Sequence, residues 1–407
     1  MTSFPSNTIR RQFPALQRDE NFVFFDNAAG AQIPQVVLDA VDDHLVSRNV
    51  QRGGRYSKSC EVDAMIAHAR QTVALFLNAR YADEVAFGMN ATSFLRIVSL
   101  AVGDDLNERP EIIVSDMDHE ANIAVWLALE RFGAVIRWWR IRDDGRLHVE
   151  DLDPLLNAKT RLVACAVASN AIGSLVDVSE VARRAHAVGS ELLLDAVHYG
   201  PHGLFDVRTW DCDYLVCSGY KIFAPHMGFL WGKREALENL RTFREDFIPD
   251  VAPGKIEAGT FVYENVAGME AAIRYLQTLD PAPDSSNGRG AIVRAMQAVR
   301  EYETDLSRSF LDRLCRMPRV TLYGIADSEM VCHRVPTFCF NVQGVAPAEV
   351  STRAAEQGFG VRDGHMYSPR LMNRLGLAKE TGAVRVSLVH YNTEAEIHRF
   401  ADALGEF

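Results

Sequence analysis

Three polar positions in the sequence stand where an apolar run stops. Asp195 closes ELLLD, Ser218 and Lys221 follow DYLVC, and Thr92 opens a helical run that begins at Ala91 after EVAFG. Each has an everyday explanation. A strand-terminal aspartate is usually a turn or cap residue, a threonine at a helix start is usually an N-cap, and a lone lysine usually reaches for solvent. Lys221 fits its explanation badly. The stretch CSGYKIFAPHMG, residues 217–228, is apolar and broken by glycine and proline, so the amine sits where the chain reads as buried. An open parallel sheet gathers ligands at the carboxyl ends of its strands, and a helix start offers free N–H groups to an anion. A carboxylate, an anion-binding helix start and a lysine on one rim are the set that pyridoxal phosphate needs. The amine condenses with the cofactor aldehyde, the carboxylate keeps the pyridine nitrogen protonated, and the helix start holds the phosphate.

Such a rim requires alternating strands and helices, and the sequence supplies them. Helical spacing runs over 61–78, 91–103, 120–133 and 179–189. Strand-like segments fall at 84–88, 111–115, 134–139, 161–169, 191–197, 213–219 and 228–233. These seven are almost continuously apolar, as strands are when helices cover both faces of a sheet. The alternation predicts a doubly wound, mostly parallel α/β layer. PAPDSSNGRG, 281–290, reads as a loop or boundary. A long helix follows over 291–316, and strands at 337–343 and 383–392 suit a smaller α+β unit.

Composition narrows the class. The chain has 407 residues, 48% of them hydrophobic, and a net charge of −11. The charge argues against nucleic acid or an anionic membrane as partner. The start has no apolar leader-like core and no run approaches 18 apolar residues, so neither a signal peptide nor a membrane span is expected. Seven cysteines, odd in number and without metal-like pairing, point to a reduced, cytoplasmic setting and no metal. Neither G-x-G-x-x-G nor G-x-x-x-x-G-K-[ST] occurs, which argues against a nucleotide-binding enzyme.

The stretch LLLDAVHYGPHGLFDVRTWDCDYLVCSGYKIFAPHMGFLWGK resembles the class V aminotransferase family, close to its cysteine desulfurase branch. FFDNAAGAQIPQVVLDAV (24–41), SDMDHEANIAVW (115–126), ASNAIGS (168–174), IEAGT (256–260), VRDGH (361–365) and RVSLVHYNTEAEI (385–397) follow in family order. The resemblance implies fold-type I: an N-terminal segment (1–20) packing with the small domain, a large cofactor domain (21–285) and a small C-terminal domain (286–407), working as a homodimer with a shared active site. It also implies roles. Lys221 matches the lysine that binds the cofactor and shuttles the substrate Cα proton. Asp195 matches the partner of the pyridine nitrogen, and His119 the imidazole that stacks on the ring. Ala91, Thr92 and Ser218 match the phosphate cradle, and Asn170 the asparagine near the cofactor hydroxyl and the substrate carboxylate. Thr260 matches the threonine that reaches the neighbouring subunit's phosphate. Arg385 matches the arginine that clamps the substrate α-carboxylate, a task suited to a bidentate guanidinium. Arg362, His365 and Tyr367 look like further substrate-side residues.

The departures bear on the reaction. Desulfurases of this family carry a sulfur-accepting cysteine just after the Arg-x-Gly-His motif. Here the sequence reads VRDGHMYSPRL, with Met366 and Tyr367 at that place, and no cysteine follows Cys339. Neither a thioether nor a phenol replaces a thiolate in sulfur transfer. His198 stands where those enzymes often have glutamine, Tyr220 replaces the histidine before the lysine, and Gln51 and Arg55 stand where histidines are common. The expectation is an enzyme acting on an amino acid through a Cα carbanion, of C–S β-lyase type. Transamination and epimerisation start from the same carbanion, and a true desulfurase would need another cysteine. A non-catalytic relative would have no need of Lys221, Asp195, His119 and Arg385 together.

Overall fold

The computed structural model of the chain describes residues 4–282 and 288–407. The strands, in chain order, are β1 (Val23–Phe24), β2 (Val85–Gly88), β3 (Glu111–Ser115), β4 (Val135–Trp139), β5 (Thr160–Ala166), β6 (Glu191–Asp195), β7 (Tyr214–Ser218), β8 (Gly228–Gly232), β9 (Val320–Tyr323), β10 (Thr337–Val342), β11 (Phe359–Gly360), β12 (Arg362–Gly364) and β13 (Ala383–Ser387). A seven-stranded sheet runs β2-β8-β7-β6-β5-β3-β4. Strands β7, β6, β5, β3 and β4 are mutually parallel, and β8 is antiparallel to both of its neighbours. The expected α/β layer is therefore present, with one reversed strand.

Alternating side chains explain why these strands read as unbroken apolar runs. Leu192, Leu194, Leu215 and Cys217 enter one core, while Leu193, Tyr214 and Val216 enter another on the opposite face. Each face is dry, so residues of both parities must be apolar. The exception is β4, at the sheet edge, where Val135 is exposed and only Trp139 is buried. The helix expected over 120–133 is α-helical only over Ala121–Leu127. It tightens into a 3₁₀ turn over Ala128–Phe132 and stops at Gly133, whose φ of 96° needs glycine. The 281–290 boundary falls largely on residues 283–287, outside the described residues. The long helix that follows spans Arg289–Cys315.

A second sheet, β12-β13-β10-β9, is antiparallel throughout and carries its own core around Phe338, Phe340, Val384 and Val386. The strand expected over 383–392 leaves this sheet after Ser387, where Leu388 turns to donate to the Pro336 carbonyl at 2.9 Å. β1 pairs with β11, and the Ser387 amide donates to the Phe25 carbonyl at 2.7 Å. These contacts tie the N-terminal loop to the C-terminal sheet. Beside them, Phe13 packs against Phe223, Tyr275 and Tyr391, and Tyr391 donates to Asn27 of that loop.

The parallel strands put their carboxyl ends on one edge. That edge receives Asp195 from β6, Ser218 from β7 and the helix Ala91–Gly103 that follows β2. β8 holds this helix start closely. A Cβ on Gly228 would lie 2.7–2.9 Å from the Asn90 and Ala91 backbone, too close for any side chain. Gly228→Ala should therefore push the helix start away from the sheet and lower stability by about 1–3 kcal/mol. Chemical denaturation checks this; an unchanged midpoint would show that the strand–helix contact yields freely.

Candidate active site

Lys221 lies in a single 3₁₀ turn, Gly219–Lys221, directly after β7. The turn is compact because Gly219 and the residues after it fold back, with the Ala224 amide donating to the Gly219 carbonyl at 3.0 Å. The lysine is only 6% exposed. Burial, reinforced by the positive charge of Arg385, lowers its amine to about 8, against the pull of Asp195. The unprotonated, nucleophilic form is therefore far more populated near neutral pH than for an ordinary lysine, about a tenth of the amine at pH 7.

Asp195 faces the same pocket. Its Oδ1 accepts the Val197 amide at 2.9 Å. Burial raises its carboxyl above the ordinary range, and that hydrogen bond and Lys221 only partly oppose the rise. A protonated ring nitrogen placed against it would supply the missing counter-charge. Beneath it lies a second acid, Asp118, which takes hydrogen bonds from Ser115 and, at 2.7 Å, from Asn122. Burial lifts Asp118 to about 7.

His119 precedes the helix Ala121–Leu127. Its Nδ1 accepts the Ala121 amide at 3.0 Å, so the ring proton resides on Nε2. Burial, followed by Lys221 and Arg385, lowers this imidazole to about 4, and the ring is neutral at physiological pH. His198 also borders the pocket. Its Nε2 pairs with Thr337 Oγ1 at 2.9 Å, and its Nδ1 is a buried atom with no partner among the described residues. Ser218 Oγ accepts the Ala91 amide at 3.2 Å, which fixes the hydroxyl at the start of a 13-residue helix. Thr92 and Tyr220 complete this wall. An orphaned imidazole nitrogen, a buried carboxyl lacking a counter-charge, an easily deprotonated amine and a helix start fit the hydroxyl, ring nitrogen, aldehyde and phosphate of pyridoxal phosphate.

How the two arginines are arranged is visible only in the fold. Arg362 of β12 and Arg385 of β13 are direct cross-strand partners. Like charges so placed repel, and Asp26 resolves the conflict. Its carboxylate takes Arg362 Nη2 at 2.7 Å and Nε at 2.9 and 3.1 Å, and Arg385 Nη2 at 2.9 Å. Arg385 Nη1 donates to the Asn170 carbonyl at 2.9 Å, and its Nε has no partner among the described residues. Two guanidiniums and one carboxylate leave one positive charge over, which suits a carboxylate ligand. Asp26 sits within the FFDNAAG motif, yet nothing in the sequence marked it as the shared partner.

Asn170 joins this cluster to the loop after β12. Its Nδ2 donates to the Met366 carbonyl at 2.7 Å, and its Oδ1 accepts from Ser368 at 3.1 Å. His365 and Tyr367 are exposed at the mouth, with the Tyr367 ring 5.6 Å from that of His119. The resemblance gives Thr260 to the neighbouring subunit's phosphate and Gln51 to the substrate side. They bond to each other at 2.5 Å and do not border the pocket that holds Lys221. Thr260 is exposed at the protein surface. Another groove, lined by Arg109, Arg161, Glu191 and Arg244, lies at the opposite ends of the strands. Its Arg161 is paired with Glu191 at 2.5 Å, and Arg109 is spent on backbone carbonyls.

The depressed amine makes a stability prediction. In the apo-protein the folded lysine gives up its proton above about pH 8, whereas an unfolded one keeps it to about pH 10.4. The unfolded state binds more protons in that window, so wild-type stability gains as pH rises through it. Below pH 8 the full penalty applies, about 3 kcal/mol. Lys221→Met should melt higher than wild type at pH 7, and the gap should narrow between pH 8 and 10. A gap that is absent or grows with pH would contradict the burial account.

The sequence pattern of class-V aminotransferases matches residues 23–400. An aminotransferase-like protein of Gibberella zeae is 32% identical over 413 residues, covering 99% of this chain and 98% of that protein. A probable cysteine desulfurase of Streptomyces coelicolor is 32% identical over 432 residues, with 99% and 98% covered. Among solved structures, a cysteine desulfurase of Escherichia coli superposes with a TM-score of 0.85 at 26% identity, covering 100% of this chain and 98% of that one. The apo cysteine desulfurase of Thermococcus onnurineus gives 0.89 at 23% identity, a likeness of fold, with 100% and 98% covered. With the fold, the buried lysine and the strand-edge carboxyl already in place, these matches close the case: the chain belongs to the class-V aminotransferase family and is a pyridoxal-phosphate-dependent enzyme of fold-type I.

Proposed function

We propose that the protein is a C–S β-lyase, which removes a thiol or sulfide from Cβ of an α-amino acid without storing sulfur on a cysteine of its own. The observation that carries this is the loop after β12. Where the desulfurase branch would hold its acceptor thiol, this chain has Met366, buried, and Tyr367. Among the described residues, no cysteine borders the Lys221 pocket. Cys339 lies across the strand pair from Arg385, but it is buried and its thiol is pushed up to about 12. A neutral, inaccessible thiol is a poor sulfur acceptor.

When bound, pyridoxal phosphate acts as a sink for the electron pair left at Cα. The protein's own groups do the rest in this reading. Arg385, with Arg362 beside it, binds the substrate carboxylate, and Asn170 borders that carboxylate and the cofactor hydroxyl. Lys221 takes the Cα proton. Asp195 holds a proton on the ring nitrogen. His119, neutral and with a fixed tautomer, covers the ring face. His198 faces the hydroxyl with its unpartnered Nδ1, while Ser218, Thr92 and the Ala91 helix start hold the phosphate. Departure of RS⁻ from Cβ, with protonation to RSH, leaves an enamine that water converts to pyruvate and ammonia.

The protein also acts, in this reading, as a cytoplasmic homodimer. Exposed Val36, Leu45 and Val46 on the helix Gln35–Arg48 offer apolar surface for a second copy, and exposed Thr260, bonded to Gln51, reaches that copy's phosphate. No helix among the described residues is long and apolar enough to cross a membrane.

Incubation of the holoenzyme with L-cysteine separates the possible reactions. Pyruvate, ammonia and sulfide in equal amounts are the expected products. Alanine with protein-bound sulfur would instead mean a desulfurase using another cysteine. A keto acid that retains its sulfur would mean transamination, and D-cysteine would mean epimerisation. Asp195→Asn should keep the cofactor but slow Cα deprotonation at least a hundredfold, about 3 kcal/mol of barrier, measured by exchange of the Cα proton. Near-wild-type exchange would give that carboxyl another job.

A further inference from the structure

Met366 and Tyr367 are consecutive residues in the left-handed region, with φ of 52° and 58°. The Ser368 amide donates to the His365 carbonyl at 2.8 Å, closing a tight turn around them. Such turns ordinarily use Asn-Gly, because side chains with a Cβ are strained there. The strain is held from several directions. Asn170 donates to the Met366 carbonyl, the Glu120 amide donates to the Tyr367 carbonyl at 2.8 Å, and the Tyr367 amide donates to His365 Nδ1 at 3.0 Å. On the far side, Gly364 and Gly382 approach so closely that a Cβ on Gly382 would fall 2.0 Å from the Gly364 carbonyl oxygen.

Burial accounts for Met366, which is 2% exposed and part of the large core. It does not account for Tyr367, which is 56% exposed. A strained, exposed aromatic residue persists only where its surroundings impose it, and such residues mark functional positions. The Tyr367 ring lies 5.6 Å from that of His119, which lines the Lys221 pocket, and the Glu120 amide holds the Tyr367 carbonyl beside that histidine. It therefore stands just outside the Lys221 pocket, on the side that His119 lines.

We infer that the Met366–Tyr367 turn is a rigid wall that sets the size of the amino-acid side chain admitted, favouring short side chains such as that of cysteine over bulky S-substituted ones. Loop closure is not needed for this selection, because the wall is already in place. The inference rests on the amino-acid reading of the site given above, but it adds a substrate class and a residue that enforces it.

The test uses the holoenzyme and two probes, L-cysteine and S-benzyl-L-cysteine. Binding is read from the change each makes in the visible absorbance, and the ratio of their dissociation constants measures size discrimination. Tyr367→Asn, which accepts a left-handed backbone but lacks the ring, should reduce that ratio at least tenfold in favour of the benzyl compound. Tyr367→Phe should keep it within about threefold. Thermal melting reads the strain separately: Tyr367→Asn should melt at or above wild type, and Tyr367→Val should melt about 1–3 °C lower, since a β-branched residue tolerates this backbone worst. Unchanged discrimination in Tyr367→Asn overturns the wall. A Val variant as stable as the Asn variant overturns the left-handed turn. Silence of the wild-type spectrum toward both probes overturns the amino-acid reading itself, and the inference falls with it.

Discussion

An ammonium group leaves water only at great cost, and the architecture around Lys221 is organised to impose that cost. The lysine follows a strand buried on both faces and is held in a one-turn helix against the pocket. Its neighbours include the cationic Arg385, which makes the charged form harder still to keep. The same dryness lowers His119 and His198 and raises Asp195 and Asp118. These four groups thus have their pKa displaced from the ordinary range for one main reason, desolvation. Together they form a site in which an amine that sheds its proton easily, neutral imidazoles and a carboxyl awaiting a counter-charge face one another. A cationic heterocycle with an aldehyde and a phosphate meets all of these demands at once.

Asp26 makes the site a property of both sheets. Its loop leaves β1, which is paired to β11, and its carboxylate grips arginines from β12 and β13. Arg385 then reaches across to the Asn170 carbonyl on the seven-stranded sheet's edge. Asn170 passes the connection on to Met366 and Ser368. The substrate-side groups are consequently fixed by a chain of hydrogen bonds that begins near the N-terminus and ends in the loop after β12. A substrate carboxylate entering here meets preplaced donors, which limits the reorganisation needed on binding.

The seven large-sheet strands, the helix Ala91–Gly103 and the strand-edge positions of Asp195, Ser218 and Lys221 were legible from apolar runs and their stops. Two-sided burial makes such strands unmistakable. The edge strand β4 was read as equally buried, because apolar composition does not reveal which strand lacks a neighbour. The pairing of Arg362 with Arg385 depends on the register of two strands, and their shared grip on Asp26 joins segments more than 300 residues apart, and no local pattern records either. The left-handed pair at Met366–Tyr367 was hidden for a different reason. Turn chemistry is read from Gly, Asn and Asp, and this turn uses none of them. Thr260 and Gln51 were given roles by resemblance, Thr260 toward the neighbouring subunit, and they stand bonded to each other outside this chain's own pocket.

The central claim is that the buried amine of Lys221 is the group that holds the cofactor. Reduction of the holoenzyme with borohydride, followed by digestion and mass spectrometry, tests it in one step. The account predicts a pyridoxyl phosphate adduct on the peptide containing Lys221 and on no other lysine. An adduct carried by a different lysine, or a reduced protein with no adduct, would contradict it.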